Sequence, residues 1–344
     1  MHIVKALAAA LVALSGPAAA QPTEIAPAIY TDPLRNAEHP AGMDVLHIPS
    51  GGLEINGVAY TAAGRGPHPT LILLHGLPGN EKNLDLAQSA RRAGWNVVTL
   101  NYRGSWGSPG RFSFAGNIED ARAALAYVRA PANATALRVD PSRIVIGGHS
   151  MGGWVTAMVA ARDEGLAGAI LISAANMGSM GRIPREELLG ASRDNMESLA
   201  GVTPEDMTDE LATNADAFDW AGSAAGLRRV PLLILSSDDG LAPDTDALAA
   251  AVRAGGGTRV KAVHVDTDHG WSDRRIRLQD EVIRWLAGLS REGTVKATGP
   301  WASALLAGAN DQADQPVPLL QFVARGDPPG GDDVRQISTI AAQR

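Results

Sequence analysis

The sequence predicts an α/β protein built on a doubly wound, mostly parallel sheet. Two patterns carry that prediction. Short, continuous apolar runs at 71–74, 97–100, 144–146, 169–172 and 232–235 suit strands covered on both faces, where the alternation of wet and dry positions disappears. Helix-like stretches at 84–93, 118–128, 154–161, 245–252 and 275–289 are interleaved with them, and strand–helix alternation at this spacing implies right-handed βαβ crossovers. Loops leaving the carboxyl ends of such strands gather at one edge of the sheet, and chemistry is expected there.

In chain order, the N-terminus comes first. Lys5 precedes an apolar stretch at 6–14, then Ser15, Gly16, Pro17 and three alanines, the form of a secretory signal peptide cleaved after Ala20. A periplasmic or secreted protein is therefore expected. That stretch is too short to span a bilayer and nothing later approaches about 18 uninterrupted apolar residues, so no stable membrane insertion is expected. Residues 21–43, rich in Pro, Ala and Asn without a clear period, predict a leader wrapped on the surface. The principal domain is expected over 44–290, opening with strands at 44–48 and 53–60 near a sheet edge. Residues 176–229 interrupt the rhythm with two polar, amphipathic segments, 185–199 and 204–218, read as a helical lid insertion; an elongated crossover packed away from the site is the other reading. Beyond 290 the chain turns to Gly, Pro, Asp and Gln, most plainly at 327–333, which predicts a flexible tail over 291–344.

Composition removes several functions. With 37 acidic against 30 basic residues and a net charge of −7, no polycation suited to nucleic acid is present. The absence of cysteine excludes disulfides, thiol catalysis and cysteine-ligated metals. No metal-ligand spacing and no dinucleotide fingerprint asks for a cofactor, so none is expected, and nothing specifies an oligomeric state.

One motif points to chemistry. Gly148, His149, Ser150, Met151, Gly152 and Gly153 follow the apolar run 144–146 and lead into a helical stretch, and a serine in a strand, tight turn, helix setting reads as a hydrolase nucleophile. With 38 glycines in 344 residues the string alone is weak, so its partners must carry the argument. An acyl-transfer serine needs a base, an acid that orients the base, and N–H donors for the developing oxyanion.

The H-G-x-P-G loop at His75, Gly76, Leu77, Pro78 and Gly79, together with the G-H-S-M-G-G elbow, resembles the α/β-hydrolase superfamily over roughly residues 50–290. The resemblance implies an oxyanion hole from the backbone N–H groups of Leu77 and Met151. The strand ending near 235 is followed by Asp239, Gly240, Leu241, Ala242 and Pro243, similar to the family's D-x-x-x-P acid loop, which selects Asp239 over Asp238; either carboxylate could instead cap the next helix. After the strand at 260–265, Asp268, His269, Gly270 and Trp271 match the family's D-H-G-aromatic ending and make His269 the base. The order Ser150, Asp239, His269 is that of the α/β-hydrolase triad. His264 reads as a half-buried sheet residue, His149 as part of the elbow, the His75 side chain as loop-shaping, and Asp120 as a structural helix residue.

Asn101 to Gly107 resembles the N-Y-R-G-S loop of prolyl-oligopeptidase-like hydrolases and loops of dienelactone-hydrolase-like and feruloyl-esterase-like enzymes. Tyr102, Arg103 and Trp106 are its candidate pocket residues, with structural packing as the alternative. The expected function is an exported serine hydrolase acting on small-molecule carboxylic esters through an acyl-enzyme. A serine exopeptidase of prolyl-oligopeptidase-like type is the alternative, against which stand an elbow reading G-H-S rather than G-W-S and too little chain before residue 50 for a propeller. A thioesterase is disfavoured by export from cytosolic acyl-CoA, and a non-catalytic binding protein by the complete set of triad residues.

Overall fold

The computed structural model describes residues 24–292. The expected leader at 1–20, residues 21–23, and the expected tail from 293 onward lie outside the described residues. The remaining part of the surface leader holds a 3₁₀ turn at Pro27–Ile29, and the Arg92 guanidinium donates to the Ala28 and Ile29 carbonyls at 2.6 and 2.8 Å.

The elements run β1 (Gly42–Ser50), β2 (Leu53–Thr61), β3 (His68–Leu74), α1 (Leu84–Arg92), β4 (Asn96–Leu100), α2 (Phe114–Arg129), α3 (Pro131–Ala136), β5 (Val139–His149), α4 (Met151–Ala160) and β6 (Gly168–Ile172). Five helices follow, α5 (Met177–Met180), α6 (Arg185–Arg193), α7 (Pro204–Thr213), α8 (Ala215–Phe218) and α9 (Ala224–Leu227), and then β7 (Leu232–Ser236), α10 (Ala242–Ala254), β8 (Val260–His264) and α11 (Arg275–Glu292). The strands form one sheet in the order β1-β2-β4-β3-β5-β6-β7-β8. β1 and β2 pair antiparallel with each other, β2 pairs antiparallel with β4, and every later pairing is parallel. The β1–β2 hairpin closes through Gly51 and Gly52, both left-handed with φ of 57° and 79°, as a two-residue turn with the natural strand twist requires.

Alternate residues of each central strand enter different cores, which is why their sequences read as unbroken apolar runs. Ile72, Leu74, Ile144, Ile146, Leu232 and Ile234 join the core under α2, α4 and α10, with Trp154, Val155 and Leu248. Leu71, Leu73, Val145, Leu233 and Leu235 join the opposite core, filled by Leu86 and Ala90 of α1 and Leu278 and Val282 of α11. The expected doubly wound α/β sheet is what forms.

The differences from expectation are local. β5 begins at Val139, five residues before its apolar run, because Asp140, Pro141 and Ser142 lie on an exposed extension of the strand. Helix α2 begins at Phe114, where the Ser113 side chain accepts from the Gly116 N–H. The stretch 176–229 holds five α-helices and a 3₁₀ turn at Trp220–Ser223 rather than two segments, and α7 starts in a reciprocal capping box between Thr203 and Asp206.

Candidate active site

β5 ends at His149 and α4 begins at Met151, so Ser150 alone makes the turn. Its φ and ψ are 56° and −124°, a conformation that costs a non-glycine residue about 1–3 kcal/mol and persists only where the surroundings enforce it. The glycines beside it supply clearance and do not themselves take up left-handed angles. A methyl group on Gly148 would lie 2.2 Å from the Gly152 carbonyl oxygen, and one on Gly152 would lie 2.5 Å from the carbonyl oxygens of Leu74 and His75. Ser150 is thereby left half-buried at the strand end, and its hydroxyl makes no hydrogen bond among the described residues.

The loop after β3 lies directly on this turn. A methyl on Gly76 would approach Ser150 Cβ to 2.8 Å, so the backbone that carries Leu77 is appressed to the start of α4. Neither the Leu77 N–H nor the Met151 N–H has an acceptor among the described residues. The Met151 N–H belongs to the first turn of a helix, whose N–H groups have no intrahelical partner and carry the positive end of the helix dipole. The Met151 side chain faces away, buried against Asn117.

His75 is buried, its Nδ1 donating to the Gly76 carbonyl at 2.7 Å and its ring centroid 4.7 Å from that of Tyr102. Burial lowers its pKa to about 4, so it is neutral. The side chain shapes the loop and does not reach solvent. Pro78 presents a carbonyl that accepts from both Trp106 Nε1 at 2.7 Å and Ser198 Oγ at 2.8 Å. Ser198 stands between α6 and α7, and the same segment pairs with the loop after β4 through Trp106 N–H to the Ser198 carbonyl and Ala200 N–H to the Gly104 carbonyl. The 176–229 stretch therefore reaches the loop that carries Leu77.

Asp239 and His269 meet from neighbouring strand ends, His269 Nδ1 lying 2.7 Å from Asp239 Oδ2. Asp239 Oδ2 also accepts from Ser237 Oγ at 3.0 Å, and Oδ1 from the Leu241 N–H at 3.0 Å. Burial pushes the Asp239 carboxyl up, but the hydrogen bonds from His269, Leu241 and Ser237 outweigh it and hold the group below its ordinary value. Asp238 points elsewhere, to the exposed His264 ring at 2.8 Å. The β5–α4 turn touches the loop after β8 through His149, whose Nε2 donates to the His269 carbonyl at 2.8 Å and whose ring lies 4.6 Å from the His269 ring. Burial, then the neighbouring His269, bring His149 down to about 4.

The three pocket candidates separate. Tyr102 is fully buried beneath the His75 loop, its hydroxyl directed at the His75 carbonyl, and does not face a cleft. Arg103 is committed to the scaffold: its Nε lies 2.7 Å from the buried Asp120, and its Nη2 reaches Glu119 and the Gly116 carbonyl. Trp106 remains exposed, with the Lys82 ammonium 4.4 Å above its ring. A half-exposed aromatic and two buried residues are indistinguishable in sequence, since all three follow one apolar strand. Ser173, Ser198 and Ser237 were not singled out by sequence reasoning; their only signal is that each is a polar residue at a strand end or in a loop.

Comparison with known proteins follows the same lines. Residues 58–175, about a third of the chain, match the BD-FAE family model. The uncharacterized protein Rv2307c of Mycobacterium tuberculosis (strain ATCC 25618 / H37Rv) is 32% identical over 114 residues, covering 33% of this chain and 39% of that protein. The quorum-quenching protein AidA of Acinetobacter baumannii (strain MDR-ZJ06) is 30% identical over 149 residues, 40% of this chain and 47% of that protein. The chain thus spans less than half the length of these relatives. Among solved structures, the carboxylesterase EstE1 from a metagenomic library matches with a TM-score of 0.56 at 22% identity, covering 74% of this chain and 90% of that one. Dipeptidyl peptidase 4 of Porphyromonas gingivalis matches with a TM-score of 0.53 at 19% identity, covering 73% and 35%.

Proposed function

From the α/β-hydrolase fold that the chain carries, we propose that this protein is an exported serine hydrolase that cleaves carboxylic esters through Ser150, His269 and Asp239. The observation that carries the reading is the 2.7 Å hydrogen bond between Asp239 and His269, together with a serine held at φ 56° in the turn after β5. Asp239 fixes Nδ1 of His269 as the protonated nitrogen, which leaves Nε2 as the base. His269 Nε2 takes the Ser150 proton as Oγ attacks the ester carbonyl, and the oxyanion that forms is bound by the Leu77 and Met151 N–H groups, each donor contributing about 3–4 kcal/mol where such groups have been removed from other enzymes. The imidazolium then protonates the departing alcohol, and water, activated by the same nitrogen, hydrolyses the acyl-enzyme.

The segment between α6 and α7 reaches the loop beside Ser150, where Ser198 and Trp106 both donate to the Pro78 carbonyl, whereas α9 packs at the far end of α4 against Ala161. An ester preference is supported by the carboxylesterase among the structural matches, and export by the N-terminal leader sequence. No helix among the described residues is long and apolar enough to cross a membrane.

Fluorophosphonate labelling tests the nucleophile. An adduct on Ser150 in the folded protein, lost in Ser150→Ala together with about 10³- to 10⁶-fold in kcat, is expected. Absence of any adduct sinks the hydrolase reading. Faster turnover of aminoacyl p-nitroanilides than of p-nitrophenyl acetate and butyrate would replace the esterase by an exopeptidase.

A further inference from the structure

Behind the Asp239 carboxylate runs a line of buried polar groups that the triad alone does not need. Trp271 Nε1 donates to Ser173 Oγ at 2.9 Å, Ser173 Oγ lies 2.7 Å from Ser237 Oγ, and Ser237 Oγ donates to Asp239 Oδ2 at 3.0 Å. Trp271, Ser173 and Ser237 are each at most 1% exposed. We infer that Trp271, Ser173 and Ser237 form a one-way positioning chain that fixes the orientation and charge of the Asp239 carboxylate for His269.

The direction of every proton follows from donor and acceptor inventory. An indole N–H can only donate and an ionised carboxylate can only accept. The single hydroxyl proton of Ser237 goes to Asp239, so Ser237 must accept from Ser173, and Ser173, giving its own proton away, must accept from Trp271. Reversing the first link would set a hydroxyl donor against the indole N–H, and reversing either of the others would leave a Ser237 lone pair facing the ionised carboxylate. Each hydroxyl is polarised by the one before it, which strengthens the bond that ends on Asp239. Asp239 then receives three donors, His269, Ser237 and the Leu241 N–H, with both oxygens occupied.

The chain spans three adjacent strand ends. Ser173 follows β6, Ser237 follows β7, and Trp271 lies in the loop after β8. Ser173 and Trp271 both hold left-handed backbone, with φ of 41° and 59°, which two side chains of this kind adopt only under constraint from their surroundings. Removal of the Ser237 proton concentrates negative charge on Asp239, and that favours the charged form of the His269 ring.

The inference rests on His269 as the base, and its test is kept separate from turnover. The His269 ring is titrated by NMR in the native protein, with its resonance assigned by loss in His269→Gln. In Ser237→Ala, a nearly isosteric change, the titration midpoint rises by about 0.3–1 pH unit; in Ser173→Ala, one hydrogen bond further away, it rises by less. kcat/KM falls about five- to twentyfold in Ser237→Ala, with KM within about twofold of native. The other charged and titratable groups nearby, His149 at the end of β5 with its ring 4.6 Å from that of His269, Asp268 in the same loop and Arg275 of α11, which donates to the Gly270 carbonyl, are the same in every variant. A midpoint within about 0.1 unit of native in either serine variant overturns the chain, and if Ser237→Ala fails to fold, Ser173→Ala decides. A native protein that takes no label at Ser150 defeats the hydrolase reading instead, while the titration still reports on the chain.

Discussion

Lowering the pH from about 7.5 to 5 should remove about 4 kcal/mol of folding stability through two histidines that flank the Ser150 turn. His75 and His149 are buried, and burial is the main cause that brings each from 6.5 to about 4. A histidine depressed in the folded state binds its proton first in the unfolded chain. The stability it contributes is complete above the unfolded value of 6.5 and is lost as pH falls toward about 4. At pH 5 the linkage expression gives about 2 kcal/mol for each ring, and the two together are a large fraction of the roughly 5–15 kcal/mol that holds a typical domain. Protonation of His75 would also leave a new buried donor at Nε2, an atom that has no partner among the described residues. Urea unfolding followed by tryptophan fluorescence at the two pH values measures the loss, expected as a fall in midpoint of about 1 M or more. His149→Gln keeps a donor for the His269 carbonyl but cannot titrate, and should halve the fall. A midpoint that stays constant between the two pH values, or a fall undiminished in His149→Gln, refutes the reasoning.

Two other outcomes separate neighbouring assignments. Asp239→Asn should reduce kcat by about 10³- to 10⁴-fold by spoiling the tautomer of His269, while Asp238→Asn, which touches only exposed His264, should stay within about threefold of native; the reverse ranking in p-nitrophenyl butyrate assays would transfer the acid role to Asp238. Arg103→Met leaves the buried Asp120 carboxylate with Ser50 Oγ and the Arg103 N–H but no cation, and should destabilise the protein by about 2–4 kcal/mol in urea unfolding without changing acyl-chain preference; altered preference at full stability would return Arg103 to the substrate pocket.

The sheet was legible because burial on both faces leaves runs such as 144–146 and 232–235 that no other short element produces so readily. The opening of β5 was not, since only Val139 pairs there, with His68, and Asp140 and Ser142 fall in the register shift that follows, with no apolar pattern to announce them. Helices α5, α8 and α9 are four residues each, shorter than the period by which a helix is recognised. At the candidate site, the Asp239–His269 hydrogen bond joins two residues proposed from motifs at strand ends, whereas the burial of Tyr102 and the commitment of Arg103 to Asp120 depend on which side of a loop packs inward. Ser173 and Ser237 are separated by more than sixty positions, and only the β6–β7 pairing, Ile172 beside Leu235, makes them neighbours.

That the strands carrying the site are split by α5–α9 has a consequence for what any part of the chain can do. Residues up to β6 hold Ser150, Leu77 and Met151, the proposed nucleophile and oxyanion donors, and the residues from β7 onward hold Asp239 and His269, the proposed acid and base. A fragment ending before β7 would own a strained serine with nothing to deprotonate it, and one beginning at β7 a charged dyad with nothing to serve. On the proposed mechanism, activity therefore reports on the β6–β7 seam itself: turnover is expected only while the two halves are zipped together and should vanish when that pairing opens, whichever half remains folded.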